Sequence, residues 1–395
     1  LPFANMSADE GNEYFCDGLA EELLNALAKI DELKVAARTS AFSFKGKNAS
    51  ISDIGQKLGV KTVLEGSVRK SGSRLRISVQ LVNAADGYHL WSERYDREMQ
   101  DIFDVQDEIT LSVVDALKLK LFGDEKAAVV KRYTENTEAY KAYLKGRYLR
   151  HTKNDHGGAL LAFEDAVRLD PSHAPSWVGV ADALTLAAHY GLIPAREACA
   201  KAKAALATAK MIQGELGDAV YIEGFMAFIE GDWEASDKAY RRAIDLQPTH
   251  HYALGQYGLT LCARGKLDEA LMLFERARAA DPLAAFPYAI TGAGLAMARR
   301  PDESLQFFEQ AFAFEKDNGL ALWGACVAKV ALGRLAEGIA AAEQAVVVSR
   351  RAGFQVGLLG WAFAVAGRTE DARAIIAELH NRPADAPSLV SEVWL

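Results

Sequence analysis

The spacing of apolar residues changes twice along the chain, and each change predicts a different kind of element. From residue 13 to residue 30, EYFCDGLAEELLNALAKI places Phe15, Leu19, Leu23, Leu24, Leu27 and Ile30 on one helical face, with Glu21 and Glu22 outside that stripe. A core-facing helix is expected there. Residues 33–38 (LKVAAR) read as a short strand, and Ser52 as the cap of a second helix that runs through Leu58 and stops at Gly59. The period then falls to two. In RLRISVQLV, residues 74–82, Leu75, Ile77, Val79 and Leu81 alternate with Arg74, Arg76, Ser78 and Gln80, the pattern of a strand with one wet face. Gly72 before it and Asp86-Gly87 after it are turn signals, so strands at 60–70, 74–82 and 88–97 should form an antiparallel meander. A helix over 101–121 follows, with Ile102, Val105, Ile109, Val113, Leu117 and Leu121 on its buried side. Residues 1–123 thus read as an α/β domain with a mixed sheet, and residues 124–136 as a linker.

Residues 50–72 imitate a DNA-binding helix-turn-helix, with a turn glycine at Gly59. The second element argues against it. Val60, Thr62, Leu64, Gly66 and Val68 alternate with Lys61, Val63, Glu65, Ser67 and Arg69, and Gly66 stands where a recognition helix needs a good helix former. A strand is expected instead.

From residue 137 to residue 395 the chain repeats itself. Gly224, Gly258, Gly292 and Gly360 are spaced by 34 residues or its double, with Cys326 on the missing rung. Ala243, Ala277, Ala311 and Ala345 keep the same step, as do Tyr240, Phe274 and Phe308, and so do Gly231, Gly265, Gly333 and Gly367 with Arg299 in the gap. Each ladder has a physical reason. Small residues let two helices of a hairpin approach, the aromatic fills the space between hairpins, and the last glycine turns the chain. Pro248 and Pro282 end second helices.

Helix-turn-helix units of this length with Gly, Ala, aromatic and Pro at these offsets resemble tetratricopeptide repeats (TPR), which implies an all-α superhelical solenoid. About seven units are expected. The first two, over 140–171 and 177–210, are irregular, with extra residues inserted at 189–194; the last two replace the aromatic with Ala342 and Ile376, so packing should be weakest there. The N-terminal region resembles the TolB-like N-terminal domain that precedes TPR arrays in bacterial signalling proteins. LPFANMS, EYFCDGLAEELLNAL, LGVKTVLEGSVRKSG and LRISVQLVNAADGYHLWSERYDRE carry that resemblance. It implies a position C-terminal to an output domain: an adenylate cyclase catalytic domain, a CadC-type DNA-binding domain or a protein kinase. The chain also begins without Met, which suggests a piece of a longer parent.

Charge and candidate chemistry narrow the function further. With 45 Lys+Arg against 53 Asp+Glu, the net charge of -8 opposes a broad nucleic-acid surface. No membrane span or signal peptide is evident, so a cytoplasmic location is expected, or a periplasmic one if the parent has an upstream span. Cys16, Cys199, Cys262 and Cys326 lie too far apart for a metal or redox motif and read as ordinary thiols. Gly258 to Lys266 fails as a phosphate loop, since the glycines are too widely spaced and Leu267 follows the lysine. His250-His251 reads as a polar helix start, and His89 beside Trp91 as a structural pair on a strand. No catalytic constellation, cofactor or metal site is predicted, and the chain by itself is not expected to be an enzyme.

By the resemblance, the fifth and ninth positions of each unit line a concave groove. These are Tyr221 and Phe225, Gly255 and Leu259, Ala289 and Ala293, Trp323 and Val327, and Gly357 and Trp361. The Lys and Asn of a peptide-carboxylate clamp are missing from them. Tyr221, Phe225, Leu259, Trp323, Val327 and Trp361 are therefore the candidate contacts of an apolar groove for a protein or peptide partner, or for the parent's own output domain. The alternative at these positions is self-packing of a tightly coiled superhelix. Two functions follow: a regulatory interaction module, or a small-ligand sensor in the α/β domain with the repeats as scaffold or as the dimerisation unit of a homodimer.

Overall fold

A computed structural model of the protein describes residues 1–30, 32–119, 134–190 and 193–381. The chain divides into two compact units, Leu1–Gly179 and Val180–Leu395. Residues 124–133 of the expected linker and the end of the last repeat lie outside the described residues, as does Leu121 of the predicted helical stripe.

The first unit is built on a four-stranded sheet in the order β1-β2-β3-β4. Its strands are β1 (Ala4–Asn5), β2 (Thr62–Ser71), β3 (Arg74–Asn83) and β4 (His89–Glu98). β1 runs parallel to β2, and the other neighbours are antiparallel, with Arg69 opposite Arg76 and Ile77 opposite Tyr95. The alternation in β3 has the expected effect: Leu75, Ile77, Val79 and Leu81 are buried while Arg74 and Arg76 are exposed. Gly72 and Gly87 make the two turns at φ 62° and 75°, where a side chain would be strained. The would-be recognition helix is β2.

The helices of this unit are α1 (Glu13–Leu27), α2 (Arg38–Phe42), α3 (Ile51–Leu58), α4 (Ile102–Ala116), α5 (Thr137–His151) and α6 (His156–Leu169). α4 packs on β4 and on α1, so Ile102, Val105, Ile109 and Val113 join Phe15, Leu19 and Leu23 in one core. Two expectations are corrected. Ser50, not Ser52, caps α3, its hydroxyl accepting from the Asp53 amide at 3.1 Å. Residues 33–38 form no strand: the place beside β2 is taken by β1, and Arg38 begins α2 with its guanidinium 2.7 Å from Glu21 of α1. Glu21 itself is buried although it lies outside the apolar stripe of α1, because α5 packs against that helix. A methyl carbon on Gly18 would sit 2.8 Å from the Leu144 side chain of α5, which fills the space over that glycine.

α7 (Ala174–His189) crosses the division between the units. Beyond it come α8 (Ala195–Gln213), α9 (Gly217–Glu230), α10 (Trp233–Leu246), α11 (His251–Ala263), α12 (Leu267–Ala280), α13 (Ala285–Met297), α14 (Pro301–Phe314), α15 (Gly319–Ala331), α16 (Leu335–Val348), α17 (Gly353–Val365) and α18 (Thr369–His380). Consecutive helices pair as hairpins from α9 onward, and successive first helices touch. The ladders explain the packing. A methyl carbon on Gly258 would lie 2.6 Å from the Phe274 ring, and one on Gly294 of the next hairpin would meet the same ring at 2.6 Å. Phe308 lies in the same way between Gly292 and Gly324, and in the first unit Phe163 lies between Gly146 and Gly179. Each ring therefore fills its own hairpin and the joint to the following helix, and Phe274 is fully buried. Gly231, Gly265, Gly333 and Gly367 turn the chain at φ 73° to 78°, and Arg299 holds the equivalent place at φ 59°. Among the described residues no helix is long and apolar enough to cross a membrane.

Candidate partner-binding face

The first helices of the hairpins, α9, α11, α13, α15 and α17, carry the fifth and ninth repeat positions because each begins at the same step of the 34-residue ruler. Their small residues are consumed by packing. Ala289 and Ala293 are fully buried, and a methyl carbon on Gly255 would lie 2.9 Å from both Ile290 and Phe286. The large residues fall in two places.

Around α9 and α11, Tyr221 is half-buried and stacked on Phe225, with ring centroids 6.3 Å apart and planes 8° from parallel. Phe225 is 5% exposed, with His189 at 5.2 Å from its centroid. Tyr221 also faces Tyr252 at 6.0 Å, and Tyr252 meets Phe286 at 4.7 Å. Leu259 is half-buried against the cluster of Tyr257, Leu261 and Phe274. Around α15 and α17, Trp323, Val327 and Trp361 are all half-buried against the core of Val356, Leu359 and Phe363. Trp323 stacks on Phe354 at 6.2 Å, and its indole Nε1 is buried with no hydrogen-bond partner among the described residues. The six candidate residues thus lie on two apolar clusters.

A further row of side chains escaped the sequence reading. Tyr252, Phe286, Leu320 and Phe354 stand 34 residues apart at the second position of their units, and three of them make the ring contacts just described. Their spacing was a usable signal, since it is the same ruler as the glycine ladder.

The titratable groups nearby are structural. His250 is the N-cap of α11: its Nδ1 accepts from the Ala253 amide at 3.2 Å, and its Nε2 lies 3.0 Å from the Asp218 carboxylate. His251 is pushed down to about 3 by burial, so its imidazole is neutral at pH 7. Burial pushes the Cys16 and Cys326 thiols up to about 12 and Cys262 up to about 11, which keeps them protonated and unreactive. Gly265 turns the chain between α11 and α12, the role the glycine ladder gives it. In the first unit a depression of about 340 Å³ lies over β2 and β3, lined by Glu65, Ser67, Ser78, Gln80 and Ser92.

Residues 239–272, from α10 into α12, match the family model of the tetratricopeptide repeat. Over 147 residues the chain is 45% identical to a protein of Rhizobium meliloti (strain 1021) named "Putative adenylate cyclase 3", a match that covers 37% of this chain and 25% of that protein. The chain therefore spans about a quarter of the relative's length. Among solved structures, a tetratricopeptide repeat protein from Parabacteroides merdae is 15% identical, covering 65% of this chain and 97% of that one with a TM-score of 0.43. YrrB, described as a TPR protein with an unusual peptide-binding site, is 25% identical over 48% of this chain and 92% of its own, with a TM-score of 0.30. MamA is 22% identical over 43% and 94%, with a TM-score of 0.30.

Proposed function

We propose that the chain is the regulatory, protein-binding part of a longer signalling protein, in which the repeats bind a partner segment or the output domain and the TolB-like α/β domain couples that event to output. The observation that carries the reading is the apolar face on α15 and α17: two half-buried tryptophans, one with an indole N–H that has no partner among the described residues. Aromatic anchors of this kind hold most of the binding energy of protein interfaces. The 45% identity to a protein named as a putative adenylate cyclase makes a cyclase domain the first output domain to test.

The competing reading, a small-ligand sensor in the α/β domain, draws on the depression over β2 and β3, whose lining of hydroxyls, Gln80 and Glu65 would suit a polar metabolite. One experiment separates the two. Residues 1–395 are titrated calorimetrically with a purified adenylate cyclase catalytic domain, and the chain alone is incubated with ATP and magnesium. Saturable binding that Trp323→Ala weakens, with no cyclic AMP formed by the chain alone, is the expected result. Binding that is lost only by changes within residues 1–123, or cyclic AMP made by the chain itself, overturns it.

A further inference from the structure

β4 is an edge strand: the sheet ends with it, and among the described residues nothing pairs with its outer side. Its backbone phase follows from one bond. The Met99 amide donates to the Ser73 carbonyl at 2.7 Å, one step beyond the Arg74–Glu98 pair. In an antiparallel ladder, hydrogen-bonded and non-bonded pairs alternate, so Trp91, Glu93, Tyr95 and Arg97 bond to β3 while Ser92, Arg94, Asp96 and Glu98 turn their N–H and C=O groups outward. The Asp96 carbonyl accepts from the Arg97 guanidinium instead, as an outward carbonyl would.

The geometry points to self-association through this edge: a second copy of the chain pairs its β4 antiparallel to the first about a twofold axis at Tyr95. In that register the outward residues meet as hydrogen-bonded pairs, Arg94 against Asp96 and Ser92 against Glu98, and on the other face Glu93 meets Arg97. Every charged pair formed from Glu93 to Arg97 joins opposite signs. Moving the axis to Arg94 or to Asp96 sets a like charge against itself, which is destabilising at a directly opposed position. An axis between two residues sets an outward backbone against an inward one. Among axes placed from Glu93 to Arg97, one register is therefore selected by both charge and backbone phase.

Edge strands are commonly guarded by charge, but a guard works by presenting like charges to an incoming copy. Here the sequence Glu93-Arg94-Tyr95-Asp96-Arg97 is complementary to itself when reversed. The side chains concerned are accessible: Arg94 is 64% and Asp96 49% exposed, in surface pairs to each other and, for Asp96, to Arg76, and Arg97 pairs with Glu108 at 3.0 Å. Tyr95, at the axis, is packed into its own core with its hydroxyl donating to Glu93 at 3.0 Å.

The test is sedimentation velocity of the full chain over a concentration series. The wild-type protein is expected to dimerise, Arg94→Asp and Asp96→Arg each to sediment as monomers, and the exchange Arg94→Asp/Asp96→Arg to restore the dimer. A wild-type protein that stays monomeric, or single variants that dimerise as well as wild type, overturns the proposal. Because Asp96→Arg also faces Arg76 across the sheet, a second measurement stands apart from charge. Chains carrying Arg94→Cys are mixed under oxidising conditions with chains carrying Asp96→Cys. Opposed Cα atoms in a bonded pair lie about 5.5 Å apart, within disulfide reach, whereas the diagonal Arg94–Arg94 separation of about 7–8 Å is not. The mixture should cross-link and each variant alone should not, the native cysteines being buried. Equal cross-linking of the single variants, or none in the mixture, rejects the register.

Discussion

Arg147 of α5 donates to the buried carboxylate of Glu21 on α1, 126 residues earlier in the chain. Arg38 holds the other carboxylate oxygen at 2.7 Å. Burial by itself would raise the Glu21 carboxyl, yet the two guanidiniums hold it below the ordinary range. Arg147→Ala should therefore cost about 3 kcal/mol, at the low end for a broken buried pair because Arg38 remains. The pH dependence has a definite sign. A carboxyl lowered on folding stabilises fully above its unfolded value, about 4.3 for Glu, and that contribution is lost as pH falls through the folded value. Urea midpoints measured from neutral to acid pH should fall less steeply for Glu21→Gln than for wild type, and parallel curves would contradict the assignment.

Phe274 offers the corresponding test in the repeats. Its ring touches Gly258 in its own hairpin and Gly294 in the next, so truncation opens a cavity at a joint and not at a surface. Phe274→Ala is expected to cost about 3–5 kcal/mol. Gly258→Leu, which forces a side chain into the same contact, should cost about 1–3 kcal/mol. Thermal melts of both variants unchanged from wild type would mean that the ladder does not set the packing.

Arg299 breaks the glycine ladder at a left-handed position, with φ 59°. A non-glycine residue there carries a strain of roughly 1–2 kcal/mol. Part of the relief is offset by the greater freedom of glycine in the unfolded chain, so Arg299→Gly should stabilise by about 0.5–1 kcal/mol. Gly265→Ala, at φ 74°, should move the denaturation midpoint the other way. The pair of opposite shifts is the measurement, and a loss of stability in Arg299→Gly would show that the guanidinium holds a contact worth more than the strain.

What the chain reveals before folding depends on how local the cause is. Phe274 and Gly258 were legible because the helix period and the hairpin length are local properties repeated several times, and each copy checks the others. β2 was distinguished from a recognition helix for the same reason, since alternation and Gly66 are read over a few residues. The burial of Glu21 was not legible because it depends on α5, far along the chain, and no pattern within α1 announces a buried charge. Residues 33–38 were misread because two alternating apolar positions suit any edge, and the place beside β2 is held by β1. The candidate groove was legible only as positions. The ruler puts Tyr221, Phe225, Trp323 and Trp361 on first helices, but how far each side chain is covered depends on neighbours such as His189 and Phe354.

Trp323 and Trp361 are the residues at which binding and folding can be told apart. Both pack against the cluster of Val356, Leu359 and Phe363, yet both remain partly exposed. The Trp323 Nε1 hydrogen is buried without an acceptor among the described residues, a state that costs free energy. Truncating an anchor of this type typically weakens binding by about 2 kcal/mol or more. Trp323→Ala and Trp361→Ala are therefore expected to weaken partner binding, or docking of an output domain, by more than they lower the unfolding free energy. Phe274→Ala serves as the internal reference, since its ring has no exposed side and its loss should register in folding first. The two quantities are read on the same preparations, affinity by calorimetry and stability by urea unfolding. Affinity unchanged in both tryptophan variants, together with a loss of several kcal/mol in stability, would assign these side chains to the core and leave the repeats without an apolar docking face at α15 and α17.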